Sequence, residues 1–256
     1  MLKIKNLSAG YGDFQVLRNI SFQINKGENL SILGPNGCGK TTLLRSISNL
    51  VEFSGEVTLD DKSIKSMKRS EIASKIALMS QISTVYFPYT VFEIVMMGRY
   101  HKIKNSFFSS PSKTDKEFVE HCLEYTGLED LRNRPINTLS GGQLQRVYLA
   151  RTLAQDPQII LLDEPNNHMD IKHQIELLDY LRKFSEDKEH IIIGVFHDIN
   201  LALSFTEKVM FLKDGDIRGF GNFKNIVSGE FLEGIYDLDV LSYMQKNDKI
   251  WNEIKR

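Results

Sequence analysis

Apolar residues divide the chain into strands, then helices, then strands again. Leu2, Ile4 and Leu7, followed by Val16, Leu17, Ile20, Phe22 and Ile24, read as strands, with Tyr11-Gly12-Asp13 as the turn between them. Leu30-Ser31-Ile32-Leu33 predicts a short buried strand, and Leu43, Leu44, Ile47 and Leu50 then recur at helical spacing. Val57-Thr58-Leu59 and Ile76-Ala77-Leu78-Met79 are further short strands. Residues 83–155 change character and read mainly as helices, over 91–99, 113–125 and 143–154, with Gly127 stopping the second and 106–112 a loop. Strands return at 158–162 and 191–196. Both are apolar without interruption, which suits parallel strands covered on both faces. Between them Ile171, Ile175, Leu178 and Leu181 predict an amphipathic crossover helix. Residues 208–213 and 216–220, joined by Asp214-Gly215, predict a hairpin, and short helices follow. Ile250, Trp251 and Ile254 either dock a terminal helix or belong to a frayed end. The succession is that of an α/β fold carrying a helical insertion.

Composition narrows the class. A chain of 256 residues can bury a full core, as one large or two small domains. Its 32 basic and 33 acidic residues leave a net charge of −1, so no basic excess points to nucleic acid and no charge block to a disordered tail. Cys38 and Cys122 make no disulfide framework, which fits a reducing compartment. The amino end alternates like a strand and has no signal-peptide core. The longest purely apolar runs, such as 191–193, fall far short of the ~20 residues of a membrane span. The expectation is a soluble, cytoplasmic chain.

The strongest chemical signal is Gly-Pro-Asn-Gly-Cys-Gly-Lys-Thr-Thr at 34–42, which fits the phosphate-binding P-loop. Its glycines let the backbone turn and present N–H groups to phosphate oxygens; Lys40 adds a point charge, and Thr41 offers a hydroxyl to Mg²⁺. The strand before it and the helix after it supply the context that the motif needs, and the helix dipole favours an anion by ~0.3–1 kcal/mol, up to ~2 where partly buried.

Asp163-Glu164 follow the apolar strand 158–162 directly, and His197-Asp198 follow 191–196 in the same way. In open α/β sheets ligands lie beyond the carboxyl ends of strands. Two carboxylates there sit beside the bound phosphates: Asp163 orients Mg²⁺ through water and Glu164 polarises an attacking water. His197 is placed to hydrogen-bond a γ-phosphate. Gln81, after strand 76–79, is either a sensor near Mg²⁺ or a polar loop residue. Tyr11 either stacks on a base or is a turn tyrosine. Leu139-Ser140-Gly141-Gly142-Gln143 precedes a helix; Ser140 has the chemistry of an N-cap, and the two glycines expose N–H groups, so the segment is a second anion site or a cap alone.

Leu139 to Gln143, the P-loop, Ile160-Leu161-Leu162-Asp163-Glu164-Pro165 and His197 together resemble the nucleotide-binding subunit of ATP-binding cassette (ABC) transporters over residues 1–240, leaving 241–256 as a tail. The resemblance implies a P-loop NTPase with a RecA-like core at 1–82 and 156–230, an N-terminal antiparallel β-subdomain and an inserted α-helical subdomain at about 83–155. It implies ATP and Mg²⁺ as cofactors, with Mg²⁺ near Thr41, Gln81 and Asp163. Tyr11 would stack on adenine, and Val16, Asn36, Gly37, Cys38, Gly39, Lys40, Thr41 and Thr42 would line the nucleotide. Glu164 would be the catalytic base, aided by Lys40, the Q-loop Gln81 and the switch His197, with Asp170 in the D-loop. Ser140, Gly141, Gly142 and Gln143 of one subunit would cover the γ-phosphate held by the other, giving an ATP-bound homodimer. The implied partners are integral-membrane permease subunits and, indirectly, a substrate-binding protein, with no nucleic acid; the implied place is the cytoplasmic face of the membrane.

Gly98-Arg99-Tyr100, Thr126-Gly127-Leu128 and Asp170-Ile171-Lys172-His173-Gln174 are similar to the ATPases of importers for iron siderophores, haem and cobalamin. The chain departs from that pattern at His101, where proline is common, and at Asn166-Asn167-His168-Met169, so molybdate or free-metal import stays open. A soluble ABC ATPase is the other reading. It fits less well, because the chain has one P-loop and no heptad array. A P-loop kinase would not need Leu139 to Gln143. The permease contact is expected near 81–100, with Val91, Ile94 and Val95 as core and Tyr86, Phe87 and Tyr89 lining a groove.

Overall fold

The computed structural model describes residues 1–80, 88–102, 110–166, 169–186 and 188–253, with side chains through 247. The chain opens with β1 (Leu2–Tyr11) and β2 (Phe14–Ile24), which pair antiparallel across the expected turn. Then come β3 (Asn29–Leu33), α1 (Lys40–Ile47), β4 (Phe53–Leu59), β5 (Lys62–Ser63), α2 (Arg69–Lys75) and β6 (Ile76–Met79). β2, β1, β4 and β5 make a four-stranded antiparallel sheet.

The helical stretch comprises α3 (Val91–Met96), α4 (Lys113–Tyr125) and α5 (Gly141–Ala154). Each starts with a capping box: Thr90 with Glu93, Ser112 with Asp115, and Ser140 with Gln143. Gly127 does stop α4: its N–H donates to the Glu124 carbonyl and that of Leu128 to the Leu123 carbonyl, closing the helix as a Schellman motif.

The chain returns through β7 (Ile159–Asp163), α6 (Ile171–Phe184), β8 (Ile191–Val195), α7 (Ile199–Phe205), β9 (Lys208–Lys213) and β10 (Asp216–Asn222), then α8 (Phe223–Ile226), α9 (Gly229–Tyr236) and α10 (Val240–Glu253). The second sheet runs β10-β9-β3-β8-β7-β6, parallel except for the β9–β10 hairpin. Its central strands bury both faces. Ile159, Leu161, Ile191 and Ile193 join a cluster with Leu2, Ile4, Leu43 and Val57 under the antiparallel sheet. The intervening Ile160, Leu162 and Ile192 join Val95, Val119, Val147 and Leu178 on the helical side. The α/β fold with its antiparallel amino-terminal sheet and helical region is as the sequence predicts.

Some expectations shift. α1 ends at Ile47, and Asn49 turns the chain at φ +54°, so Leu50 is exposed. α5 starts at Gly141 rather than 143. In α6 the buried face is Leu177, Leu178 and Leu181, whereas Ile171 and Ile175 are 76% and 52% exposed. Among the described residues no helix is long and apolar enough to cross a membrane.

Candidate functional site

The parallel strands β9, β3, β8, β7 and β6 end on one side of the sheet, and the motifs lie at the carboxyl ends of β3, β7 and β8. β3 runs into the P-loop. Gly34 sits at φ +145°, and a β-carbon there would lie 2.0 Å from the Leu212 carbonyl oxygen, so only glycine fits. Lys40 begins α1 and is buried; its ammonium donates to the carbonyls of Gly34 at 2.8 Å and Pro35 at 2.9 Å. A cavity of about 240 Å³ is lined by Val16, Asn36, Gly37, Gly39, Lys40, Thr41, Thr42 and Glu164. Cys38 is buried and does not line it; burial pushes its thiol pKa up.

β7 delivers Asp163 and Glu164 to the same place. Asp163 is 6% exposed and accepts a hydrogen bond from the Thr41 hydroxyl at 2.9 Å. Burial raises its pKa, which the Thr41 hydrogen bond and the charges of Arg45 and Lys40 oppose and Glu164 reinforces. A hydroxyl and a carboxylate so converged are hard oxygen donors of the kind Mg²⁺ takes, so the residues fit that ion. Glu164 stands at φ +54°, a left-handed conformation costing ~1–3 kcal/mol that survives only when its surroundings impose it. Its Oε1 lies 2.5 Å from His197 Nε2, which arrives just beyond β8.

The structure thus gathers Val16, the P-loop, Asp163, Glu164 and His197. Tyr11 ends β1 and is half exposed. Asp170 caps α6 by accepting from the His173 N–H at 3.0 Å. Ser140 caps α5 through Gln143, and the segment 140–143 does not line this cavity. Gln81 lies outside the described residues, as do Tyr86 and Phe87. Sequence reading passed over Gln145, whose amide donates to the Pro165 carbonyl beside Glu164. It likewise missed the buried ion pair of Arg99 and Asp115, at 3.0 Å. Neither contact has a local pattern; the Ser-x-x-Asp box at Ser112 was the one available hint.

A P-loop at the mouth of a parallel sheet, with an acidic pair on the adjoining strand end and a histidine on the next, defines a nucleoside triphosphatase cassette. A family model described as "ABC transporter" matches residues 17–167. The ferric enterobactin transport ATP-binding protein FepC of Escherichia coli is 39% identical over 93% of this chain and 87% of its own length. An ABC transporter ATP-binding protein of Bacillus subtilis, YvrA, is 37% identical over 96% of this chain, which spans only 56% of YvrA. Among solved structures, a metal-chelate type ABC transporter in an inward-facing conformation superposes with a TM-score of 0.80 at 30% identity, covering 93% of this chain and 88% of that one. The dimeric ATP-binding cassette MJ0796, bound to ADP and Pi, superposes with a TM-score of 0.74 at 32% identity, covering 87% and 98%. The chain belongs to the ABC transporter family, as its ATP-binding, ATP-hydrolysing component.

Proposed function

We propose that this chain powers the import of a metal complex, most simply an iron chelate, haem or cobalamin. One observation carries the catalytic part: Glu164 lies beside the Thr41–Asp163 pair, walls the P-loop cavity and is paired with His197 at 2.5 Å. Lys40 and the P-loop amides bind the phosphates of ATP. Glu164 polarises the attacking water as general base, and His197 holds the carboxylate and the γ-phosphate in register. Thr41 and Asp163 would hold Mg²⁺, which supplies charge neutralisation on the phosphates when bound. Gln81 completes that set in this reading. Tyr11 stacks on the adenine.

The active form is a homodimer in which Ser140 to Gln143 of each subunit cover the nucleotide of the other. The separation of that segment from its own P-loop cavity supports this, as does the dimer formed by MJ0796. Residues 1–82 and 156–230 are the nucleotide-binding core, 83–155 the helical arm, and 241–256 a tail. The arm takes the permease: Tyr89, Phe92, Met96, Met97 and Tyr100, with Glu93 and Lys116 beside them, line a groove of about 390 Å³ suited to a short amphipathic helix. Such an arrangement puts the chain at the cytoplasmic face of the membrane. The cargo class rests on the likeness to FepC and to the metal-chelate transporter.

The test is ATP-dependent uptake by proteoliposomes holding the chain with its permease and binding protein. Uptake of an iron chelate, haem or cobalamin is the expected result; stimulation only by a sugar, amino acid or peptide would contradict the cargo assignment. Light scattering of Glu164→Gln with and without ATP checks the dimer, and a monomer under both conditions at high protein concentration counts against it.

A further inference from the structure

The left-handed backbone at Glu164 needs something to hold it. Side-chain amides from two helices grip the segment that follows. Gln145, in the second turn of α5, is 5% exposed and donates from Nε2 to the Pro165 carbonyl at 2.5 Å. Gln174 of α6 donates to the carbonyls of Met169 at 3.1 Å and Asn166 at 3.4 Å, and both of those residues are buried. The two helices also meet directly, since a β-carbon on Gly142 would fall 2.8 Å from the His173 ring; within the start of α6, His173 Nδ1 lies 2.7 Å from Asp170 Oδ1.

A buried carbonyl must find a donor, and proline brings no N–H to help rebuild the turn. Gln145 therefore decides where Pro165, and with it the strained Glu164 before it, can sit. Gln145 and the capped end at Ser140 lie on one rigid helix. A shift of that end travels to Pro165 through one short hydrogen bond. Asn166 and Met169 are held by Gln174 and Asp170 by His173, so these residues are anchored to α6 while Pro165 is anchored to α5.

We propose that Gln145 is a positioning residue for ATP hydrolysis: it ties the segment Ser140 to Gln143, which meets the nucleotide of a second subunit, to the placement of Glu164 in its own site. Engagement at one nucleotide is thereby reported to the base at the other. The proposal rests on the roles given above to Glu164 and to the Ser140 segment.

The experiment uses the full chain with saturating Mg²⁺ and ATP. Gln145→Met keeps the volume and loses the donor; Gln145→Glu keeps the shape and loses the N–H at neutral pH. A misplacement of about 1 Å in a catalytic group costs up to ~10²-fold, so kcat should fall at least ~10-fold in both variants. KM and the affinity for a fluorescent ATP analogue should stay within about 3-fold, because no P-loop group changes. In a Glu164→Gln background both variants should still dimerise with ATP. A kcat close to that of the unmodified chain in both variants overturns the proposal. Parallel loss of nucleotide affinity, turnover and unfolding midpoint in both also overturns it, because it assigns Gln145 to maintenance of the fold. The Glu164→Gln control separates the two layers. If that control keeps normal turnover, the reading of the base fails and the proposal with it; if the control is inactive while both Gln145 variants turn over normally, only the proposal fails.

Discussion

Arg99→Met removes the guanidinium that knits the helical region together. Arg99 is 5% exposed, in the turn after α3. It donates from Nε to Asp115 Oδ1 at 3.0 Å and from Nη1 to the Ala154 carbonyl at 3.1 Å, and it lies 4.4 Å over the Phe118 ring. It thus joins the end of α3 to the start of α4 and the end of α5. Deleting one partner of a buried pair costs ~3–5 kcal/mol. Asp115 Oδ2 keeps the Ser112 hydroxyl at 2.6 Å and its N–H at 3.2 Å, which places the loss near the low end, ~3 kcal/mol. The orphaned Ala154 carbonyl adds ~1 kcal/mol. The two together are ~4 kcal/mol, and at ~2–4 °C per kcal/mol for a chain of this size the melting temperature should drop by about 8–16 °C. The Ser112 hydrogen bond, then that from Arg99, hold the Asp115 carboxyl below its usual range against the opposing effect of burial. A carboxylate with a depressed folded pKa contributes stability that is full above its unfolded pKa of ~3.9 and is lost as pH falls through the folded value. The gap between the unmodified chain and Arg99→Met should accordingly be constant near neutrality and shrink only in acid. Circular dichroism melts from pH 3 to 8, with urea unfolding at pH 7, measure it. A loss below ~1 kcal/mol at pH 7, or a gap that widens in acid, would refute the reasoning.

Lys40→Ala should lower ATP affinity on the order of 100-fold, since it deletes a buried cation among phosphate-binding amides; isothermal titration checks this. Tyr100→Ala should leave melting within ~0.5 kcal/mol, because Tyr100 is 68% exposed, and should leave ATPase of the free subunit unchanged. Co-purification with the permease should weaken by ~2 kcal/mol, roughly 30-fold, if the groove is the docking site. Unaltered assembly would place the contact elsewhere.

The strands of the central sheet were legible because burial on both faces leaves an uninterrupted apolar run, as in Ile159 to Leu162. The P-loop, Asp163, Glu164 and His197 were legible because each sits at or just beyond the carboxyl end of such a strand. Ser140 was legible through its partner Gln143, three residues on. Periodicity misled at α6. Ile171 and Ile175 share the helical stripe of Leu178 and Leu181, yet the first turns of α6 are solvent-exposed on that stripe, and Leu177 takes their place in the core. Leu50 failed for a different reason, since helical spacing continued past the point where Asn49 turns the backbone. Gln145 to Pro165, His173 against Gly142, and Arg99 to Asp115 are contacts between elements, fixed by how helices pack and not by any local spacing.

The proposed function turns on Glu164 acting as the base for ATP hydrolysis in a site built by the P-loop and Asp163. The most direct measurement is single-turnover hydrolysis of Mg²⁺-ATP by Glu164→Gln, with ATP binding measured on the same sample. A general base contributes ~10²–10⁴-fold, and the Gln isostere leaves the cavity walls in place. The variant should bind ATP as the unmodified chain does and hydrolyse it at least ~100-fold more slowly. Hydrolysis at a near-normal rate with normal binding would contradict the claim.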